Sequence, residues 1–459
     1  MSSSQQQPHS QQPRPGFRPS ARLLAVLALL LILLAGVGWL AVRPGHRGGA
    51  ASAQAGSPRP DEVSAVLQVL DRHAAALLHR DRAAWNADLD TAQAATDYRT
   101  AQQAAFEALA GVPLTVWRYT LVAPVTDGGV LQPAAVRLAG RVVVVHVQLH
   151  YAFARVDPLP TAKDEWLTAV SRGGGWRLAG DADADQSGGS SWHGPWDFGP
   201  LVTRTGPHTL VLAHPEHRAQ LATFAAVVEA AIPVVRRVWG SDWNSEVAVL
   251  IPNSAAEFQA VTGDSADSSD LAAVAVADSL NPDLSVPGRD AVLGARIVLN
   301  PANLSRLDPA GRRLVVQHEL THIATRASTV DAMPDWLIEG FADYVGNLGD
   351  QRPAAKIAAE LSTEVRAGRV PAQLPSSADF AGGNQRLAQV YEEAWLACRL
   401  IADRIGQHGL VSFYRAVAAD ARQDPAGAAQ AALAAMLRTS LPAFTASWRA
   451  YLRSELGRA

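Results

Sequence analysis

The sequence predicts an α+β protein with a single N-terminal transmembrane helix and two folded parts behind it. Three observations carry this. Leu23–Val42 is an uninterrupted apolar run without a charge. Residues 61–185 show helical apolar spacing first and strand-like runs afterwards. From about 200 strands alternate with helices, and after about 310 only helical spacing remains.

Composition agrees with more than one folded unit. The chain has 459 residues, 48% of them apolar and 18% charged. That is too apolar for overall disorder, and too long for one ordinary domain of roughly 100–200 residues. The net charge of −3 lacks the basic excess of a nucleic-acid binder, so no nucleic-acid partner is expected. Cys398 is the only cysteine, which excludes an internal disulfide framework and a Cys-rich zinc module. Lys163 and Lys356 are the only lysines among many Arg and Ala residues, a codon signature of a GC-rich bacterial genome.

Residues 1–22 are mostly Ser, Gln, Pro and Arg, a polar tail that cannot bury apolar surface. A helix over residues 23–42 would span about 30 Å, the thickness of the hydrocarbon core. It exceeds the apolar region of a cleaved signal peptide, and the A-x-A matches at 51–55 lie well past its end. An uncleaved signal anchor is expected. Arg14, Arg18 and Arg22 before it, against Arg43 and Arg47 after it, put the tail in the cytoplasm and the remainder outside the cell membrane. Residues 43–60, rich in Gly, Ala, Ser and Pro, read as a linker.

In residues 61–185 helices are expected over Val63–Ala76 and Arg82–Leu109, broken near Asn86–Asp90. Strands are expected at Leu114–Pro124, Ala135–Leu138, Val142–Phe153, Trp166–Arg172 and Gly175–Ala179. Turns fall at Asp127-Gly128-Gly129 and Gly173-Gly174-Gly175. Asp181–Ser191 reads as a polar boundary, and Trp192, His193, Trp196 and Phe198 as an aromatic seal between the two parts. The second part runs over 192–459. Its expected elements are a strand at Thr209–Ala213, a long helix at Arg218–Trp239 with a kink at Pro233, a strand at Val247–Ile251, a capped helix at Asn253–Val261 and a strand at Ala295–Leu299.

The chemistry concentrates in His318-Glu319-Leu320-Thr321-His322. Four residues make about one helical turn, so both imidazoles leave one helix face and can share a tetrahedral zinc. Glu319, beside the first imidazole, can reach a water on that metal. With 13 His in the chain, chance supplies roughly 0.01 such matches. A zinc hydrolase needs a third protein ligand and an open position. Glu339 is the candidate, 17 positions after His322, on a helix begun near Pro334. Asp343, one turn further, can accept a hydrogen bond from a ligand histidine and fix its tautomer.

These residues resemble a known family. H-E-L-T-H followed by W-L-x-E-G-x-A-x-Y, within residues 318–344, resembles the gluzincin metallopeptidases of the peptidase MA-like group. The resemblance implies a zincin-like α+β domain with a helical C-terminal part. It implies that His318, His322 and Glu339 bind one zinc ion and that Glu319 is the general base. It also implies that a tyrosine on a downstream helix stabilises the oxyanion, for which Tyr391 is the candidate. The aminopeptidase branch has Asn where this chain has Ile338, and its G-x-M-E-N motif is absent. Residues 61–185, through 78–85 (LHRDRAAW), 113–122 (PLTVWRYTLV) and 174–181 (GGWRLAGD), resemble the cone-shaped nuclear-transport-factor-two-like fold.

Other polar residues read as structural. His146 and His150 share one sheet face with no evident acidic partner. His208, His214 and His217 flank a turn and are expected at the surface. Asp264–Asp270 lacks the Gly and terminal Glu of a calcium loop. Cys398 reads as a small core residue. The expected protein is a membrane-anchored, extracytoplasmic zinc metallohydrolase, a peptidase acting on peptide or protein substrates, with Ala295–Leu299 offering an exposed edge to an extended substrate. The alternative is a membrane-tethered binding protein whose zinc site is structural or inactive.

Overall fold

A computed structural model describes residues 56–263, 272–280, 292–304 and 306–457. The tail, the apolar run 23–42, residues 43–55 and the acidic stretch Asp264–Asp270 lie outside the described residues. No described helix is long and apolar enough to cross a membrane.

The fold is mixed α+β. It begins with α1 (Pro60–Leu78), α2 (Arg82–Ala87) and α3 (Thr96–Ala108). Pro60 opens α1 at N1, where its missing N–H removes no intrahelical bond. The Glu62 carboxylate accepts from the Arg59 amide at 2.9 Å, and Asp81 caps α2 through the Ala84 amide at 2.9 Å. Then follow β1 (Leu114–Pro124), α4 (Gly128–Leu138), β2 (Val142–Phe153), β3 (Thr161–Arg172) and β4 (Gly175–Gly180). The four strands form one antiparallel sheet in the order β1-β2-β3-β4.

Helix α4 departs from the expected turn at Asp127-Gly128-Gly129 and strand at Ala135–Leu138. The Asp127 carboxylate accepts from the Gly129 amide at 2.8 Å and so caps a helix. Val130, Leu131, Ala134 and Leu138 then share one helical face and bury it against Val142, Val144 and Val170. Gly128, Gly129 and Pro133 masked that spacing in the sequence. Strand β2 shows the result of the helix. Val143, Val145, Val147 and Leu149 enter the core shared with α1. On the other face Val142 and Val144 lie under α4, whereas His146, Gln148 and His150 are only half-buried.

The second sheet contains β5 (Val202–Thr205), β6 (Thr209–Ala213), β7 (Val247–Ile251), β8 (Ala273–Val276) and β11 (Arg296–Leu299). A short ladder of β9 (Ser279–Leu280) and β10 (Val292–Leu293) lies between the last two in sequence. The sheet order is β5-β6-β7-β11-β8. Strands β6, β7 and β11 are parallel, and β5 and β8 are antiparallel edges. Ala295–Leu299 therefore offers no free edge. Strand β11 lies between β7 and β8, because the crossover from β7 sets it on one side and β8 pairs with the other. A strand's own sequence records its burial, not its neighbours.

Ten helices are described in this part: α5 (Leu221–Trp239), α6 (Ala255–Thr262), α7 (Pro301–Leu304), α8 (Pro309–Thr325), α9 (Asp335–Gly346), α10 (Ala354–Ile357), α11 (Ala359–Arg366), α12 (Leu387–Ala421), α13 (Ala428–Leu437) and α14 (Leu441–Leu456). Helix α5 runs through Pro233 without a break, after a 3-10 turn at Pro215–Gln220. Helix α12 is broken at Gly406, whose φ of 78° lies in the left-handed region that glycine enters without a Cβ clash.

Alternation along β6, β7 and β11 sorts the two faces. Val211, Ala213, Val249, Ile251, Ile297 and Leu299 pack into the helical core. Leu210, Leu212, Ala248, Leu250 and Val298 join the core of the first sheet instead. That shared core includes Trp117, Tyr151, Trp192 and Trp196, with ring centroids of neighbouring pairs 5.2–5.7 Å apart. Polar ties cross the same boundary. Buried Arg296 is bidentate to Asp157 at 2.6 and 2.7 Å, and Thr161 and Lys163 both engage Asp278.

Candidate metal centre

Helix α8 starts at Asp308, whose carboxylate accepts from the Gly311 amide at 2.7 Å, with Pro309 at N1. Every residue from Leu314 to Thr325 is buried. The helix is thus enclosed on all sides, among α5, α9 and β8. An enclosed helix with the sequence Gln-His-Glu-Leu-Thr-His must find partners for its polar side chains.

The partners come mainly from α9. Asp343 Oδ1 lies 2.8 Å from His318 Nδ1. That bond places the His318 proton on Nδ1 and turns the Nε2 lone pair inward. His322 Nε2 is 2.8 Å from His318 Nε2, and Glu339 Oε2 is 3.3 Å and 3.6 Å from the two nitrogens. The three ligand atoms all lie within 4.8 Å of one another. Among the described residues Glu339 Oε2 has no hydrogen-bond partner, and neither has Glu319 Oε1. Glu319 Oε2 accepts the Ala275 N–H at 2.7 Å, so the edge strand β8 fixes this side chain.

Two glycines let α9 come close enough. A Cβ on Gly340 would stand 2.3 Å from the Ala394 carbonyl oxygen of α12. A Cβ on Gly346 would stand 3.2 Å from the Leu314 oxygen of α8. Their absent side chains set α9, and with it Glu339 and Asp343, between the other two helices.

The electrostatics describe a site that holds positive charge. Burial opposes a charged His318, but Asp343 and Glu339 outweigh it and hold its pKa well above the usual imidazole value. His322 is pulled down to about 4, mainly by burial, with the charge of His318 adding to it. Glu339 falls to about 2, because the two histidines outweigh the cost of burying it. Burial, with Glu339 and Asp343 nearby, pushes Glu319 up to about 7.

A cation fits this donor set. Without a metal a proton on His318 can bridge the two Nε2 atoms, and one cation among His318 Nε2, His322 Nε2 and Glu339 Oε2 would replace it and engage all three atoms. Two nitrogens and one carboxylate oxygen suit zinc and leave a fourth position open. Tyr391, on α12, is completely buried, and its hydroxyl has no hydrogen-bond partner among the described residues. Its ring centroid is 6.3 Å from that of His318, with the edge-on Phe380 5.3 Å away on another side.

All six residues singled out in the sequence gather here: His318, Glu319, His322, Glu339, Asp343 and Tyr391. The Ala275 amide was missed, because the Ala-rich run 272–276 carries little strand signal. The remaining histidines lie elsewhere. His146 does have an acidic partner, Asp164, at 2.9 Å across β2 and β3, and stacks on Trp166. Sequence distance concealed a partner on the neighbouring strand. His214 is buried rather than at the surface, with Nδ1 at 3.0 Å from the Pro200 oxygen and Nε2 at 2.9 Å from Glu257. The fold closes α6 over the turn that follows β6. Cys398 is a buried free thiol between α12 and α9.

No protein-family model matches the chain, and no curated protein matches it. Among solved structures, it is similar to an M1 zinc metallopeptidase mutant from Deinococcus radiodurans bound to a Tyr-Ser-Ala substrate. That likeness has 14% identity and a TM-score of 0.30, over 63% of this chain and 59% of that one. A two-domain M1 zinc metallopeptidase mutant bound to L-arginine is similar at 13% identity and a TM-score of 0.31, over the same shares. The chain thus spans less than two thirds of the length of either structure.

Proposed function

We propose that this protein is a zinc metallohydrolase of the gluzincin type and that it cleaves peptide bonds. The observation that carries this is the convergence of two imidazole nitrogens and one carboxylate oxygen on one buried point, beside a carboxylate that is not needed as a ligand. A purely structural zinc site would have no use for Glu319.

His318, His322 and Glu339 would hold the metal, and Asp343 would fix the His318 tautomer. Bound zinc supplies Lewis acidity and an acidified water at its open position. Glu319 Oε1, the free oxygen, accepts the proton of the attacking water as its oxygen bonds to the scissile carbonyl carbon. Glu319 then returns that proton to the nitrogen as the C–N bond breaks. The Tyr391 hydroxyl donates to the developing oxyanion. An extended substrate would align along β8, where the Ala275 amide already marks the position of Glu319.

The domain division follows the same reading: a nuclear-transport-factor-two-like domain over 61–185 and a zincin-like domain over 192–459. Residues 23–42 would anchor both to the cell membrane, with the catalytic part outside. Support for the anchor is the uncharged run Leu23–Val42 and the Arg residues before it.

The test uses the full-length chain in non-ionic detergent. One zinc per chain is expected, lost in His318→Ala and kept in Glu319→Gln. Hydrolysis of an unfolded protein substrate should fall about 10²–10⁴-fold in Glu319→Gln. Near-wild-type hydrolysis by that variant would remove the mechanism. Absence of metal after zinc is supplied would favour the tethered binding protein.

A further inference from the structure

The first sheet carries a second cleft, remote in sequence from the metal ligands. It opens between α3, the inner face of β1 and β3, and the segment 181–197. Its deep walls are the buried Trp85, Trp117 and Trp196, and Tyr98 and Tyr119 stand half-buried nearer the mouth. The indole N–H of Trp85 is taken by the Gln102 oxygen at 3.0 Å, and that of Trp117 by the Tyr119 hydroxyl at 3.3 Å. Trp192, also in the lining, keeps an indole N–H with no partner among the described residues, so the cleft presents aromatic rings and one free indole donor.

Glu165 enters this aromatic lining from β3. It lies directly across from Val147, and Leu167 is the next residue on the same face. Alternation calls for an apolar side chain there. Among the described residues no hydrogen bond and no ion pair reaches its carboxylate. Three nearby carboxylates are engaged, whereas Asp181, also in the lining, has no side-chain partner among the described residues. Asp183 takes Arg137 and Thr168 at 2.7 Å each, Asp164 takes His146, and Asp197 takes the Gly194 amide at 2.8 Å. The cations close by are also committed. Arg137 is bound by Asp183, and His193 lies 3.8 Å from Asp197 at the exposed rim. Burial, with Asp197 and Asp181 adding like charge, pushes Glu165 well above the usual carboxylate range.

A charge held against aromatic rings without a counter-ion is costly, and an ionised carboxylate there calls for a cation. Aromatic faces favour an organic cation. The shape narrows the class. The enclosed part measures only about 30 Å³, room for a tip of one or two heavy atoms. A groove of about 610 Å³ lies beside it and shares Tyr98, Gln102, Asp181 and His193 with its lining.

We propose that this cleft binds a primary ammonium on an extended alkyl chain, with the –NH3+ group on Glu165 between the aromatic walls and the chain leaving along the groove past Asp181. A free alkyl diamine and a lysine side chain of a polypeptide share this chemistry.

The test is calorimetric titration of the full-length chain in non-ionic detergent at pH 7. The probes are 1,5-diaminopentane, the neutral 1-pentanol, Nα-acetyl-lysine methylamide and its Nε-acetylated form. Saturable binding of one diamine per chain is expected, with pentanol at least tenfold weaker. Glu165→Gln should weaken the diamine at least tenfold, and Tyr98→Leu, at the half-exposed rim, severalfold. Zinc-stripped protein should bind as well as loaded protein, which separates this site from the metal centre and from its proposed activity. Binding of the lysine amide but not its acetylated form would support the polypeptide source, and binding of the diamine alone the free amine. Equal binding of pentanol, no effect of either variant, or loss of binding on zinc removal would overturn the proposal.

Discussion

The two sheets share one hydrophobic core and read differently in the sequence. The first is antiparallel, and from His146 to Tyr151 its strand β2 alternates between a half-buried and a buried side. Beyond His146 the outer positions of β2 carry His146, Gln148 and His150, and the inner ones Val147, Leu149 and Tyr151. The core side can be read directly. In the second sheet β6, β7 and β11 are buried on both faces, so their sequences are continuous apolar runs. Such runs announce strands but give no sign of which residues face the metal-bearing helices. One face of the second sheet packs on the helices that carry the candidate metal centre, and the other joins the core of the first sheet.

That comparison can be broken at the junction. Asp157→Ala would leave Arg296 buried and unpaired between the two sheets. The expected loss is about 3–5 kcal/mol, read as the shift in thermal or denaturant unfolding. A variant as stable as wild type would mean that the sheets meet without needing this pair.

The helix face of the second sheet is tested next. Asp343→Asn keeps the shape of the side chain but removes the charge facing His318. Zinc affinity should fall about 10–100-fold, measured by competition with a chelator. Unchanged affinity would detach Asp343 from the site. Gly340→Ala forces a methyl against the Ala394 oxygen of α12. A destabilisation of about 1–3 kcal/mol and weaker zinc retention are expected together. Loss of stability with full zinc retention would show that α9 can shift without moving Glu339.

The smallest effect belongs to the first sheet alone. The Arg141 guanidinium, 2.6 Å from Glu62, holds the Glu62 carboxyl down at about 2. Its ordinary value is 4.5, so the contribution is complete above about pH 4.5 and is lost as pH falls towards 2. Comparing wild type with Glu62→Gln by melting between pH 7 and pH 3 should show the two curves converging at the acid end. A constant gap between them would remove the ion pair from the account.

Much of the metal site was legible because its signals are local. His318 and His322 are one turn apart, and so are Glu339 and Asp343, and helical periodicity alone puts each pair on one face. The meeting of the two pairs was not legible, because it depends on Gly340 and Gly346 letting α9 settle between α8 and α12. Helix α4 was lost for a comparable reason. Its Gly-Gly start reads as a turn until Asp127 is seen to cap it.

The sequence by itself determined where helices and most strands lie and which side chains share a helix face at the candidate metal centre. Those properties depend on spacings of two to four residues, the range over which backbone geometry repeats. Tertiary structure alone decided that β11 is internal, that Ala275 holds Glu319, that His214 is buried, and that among the described residues β8 is the edge and Glu165 stands unpaired beside aromatic rings. Each depends on contacts between segments distant in the chain, and packing, not local conformation, sets those contacts.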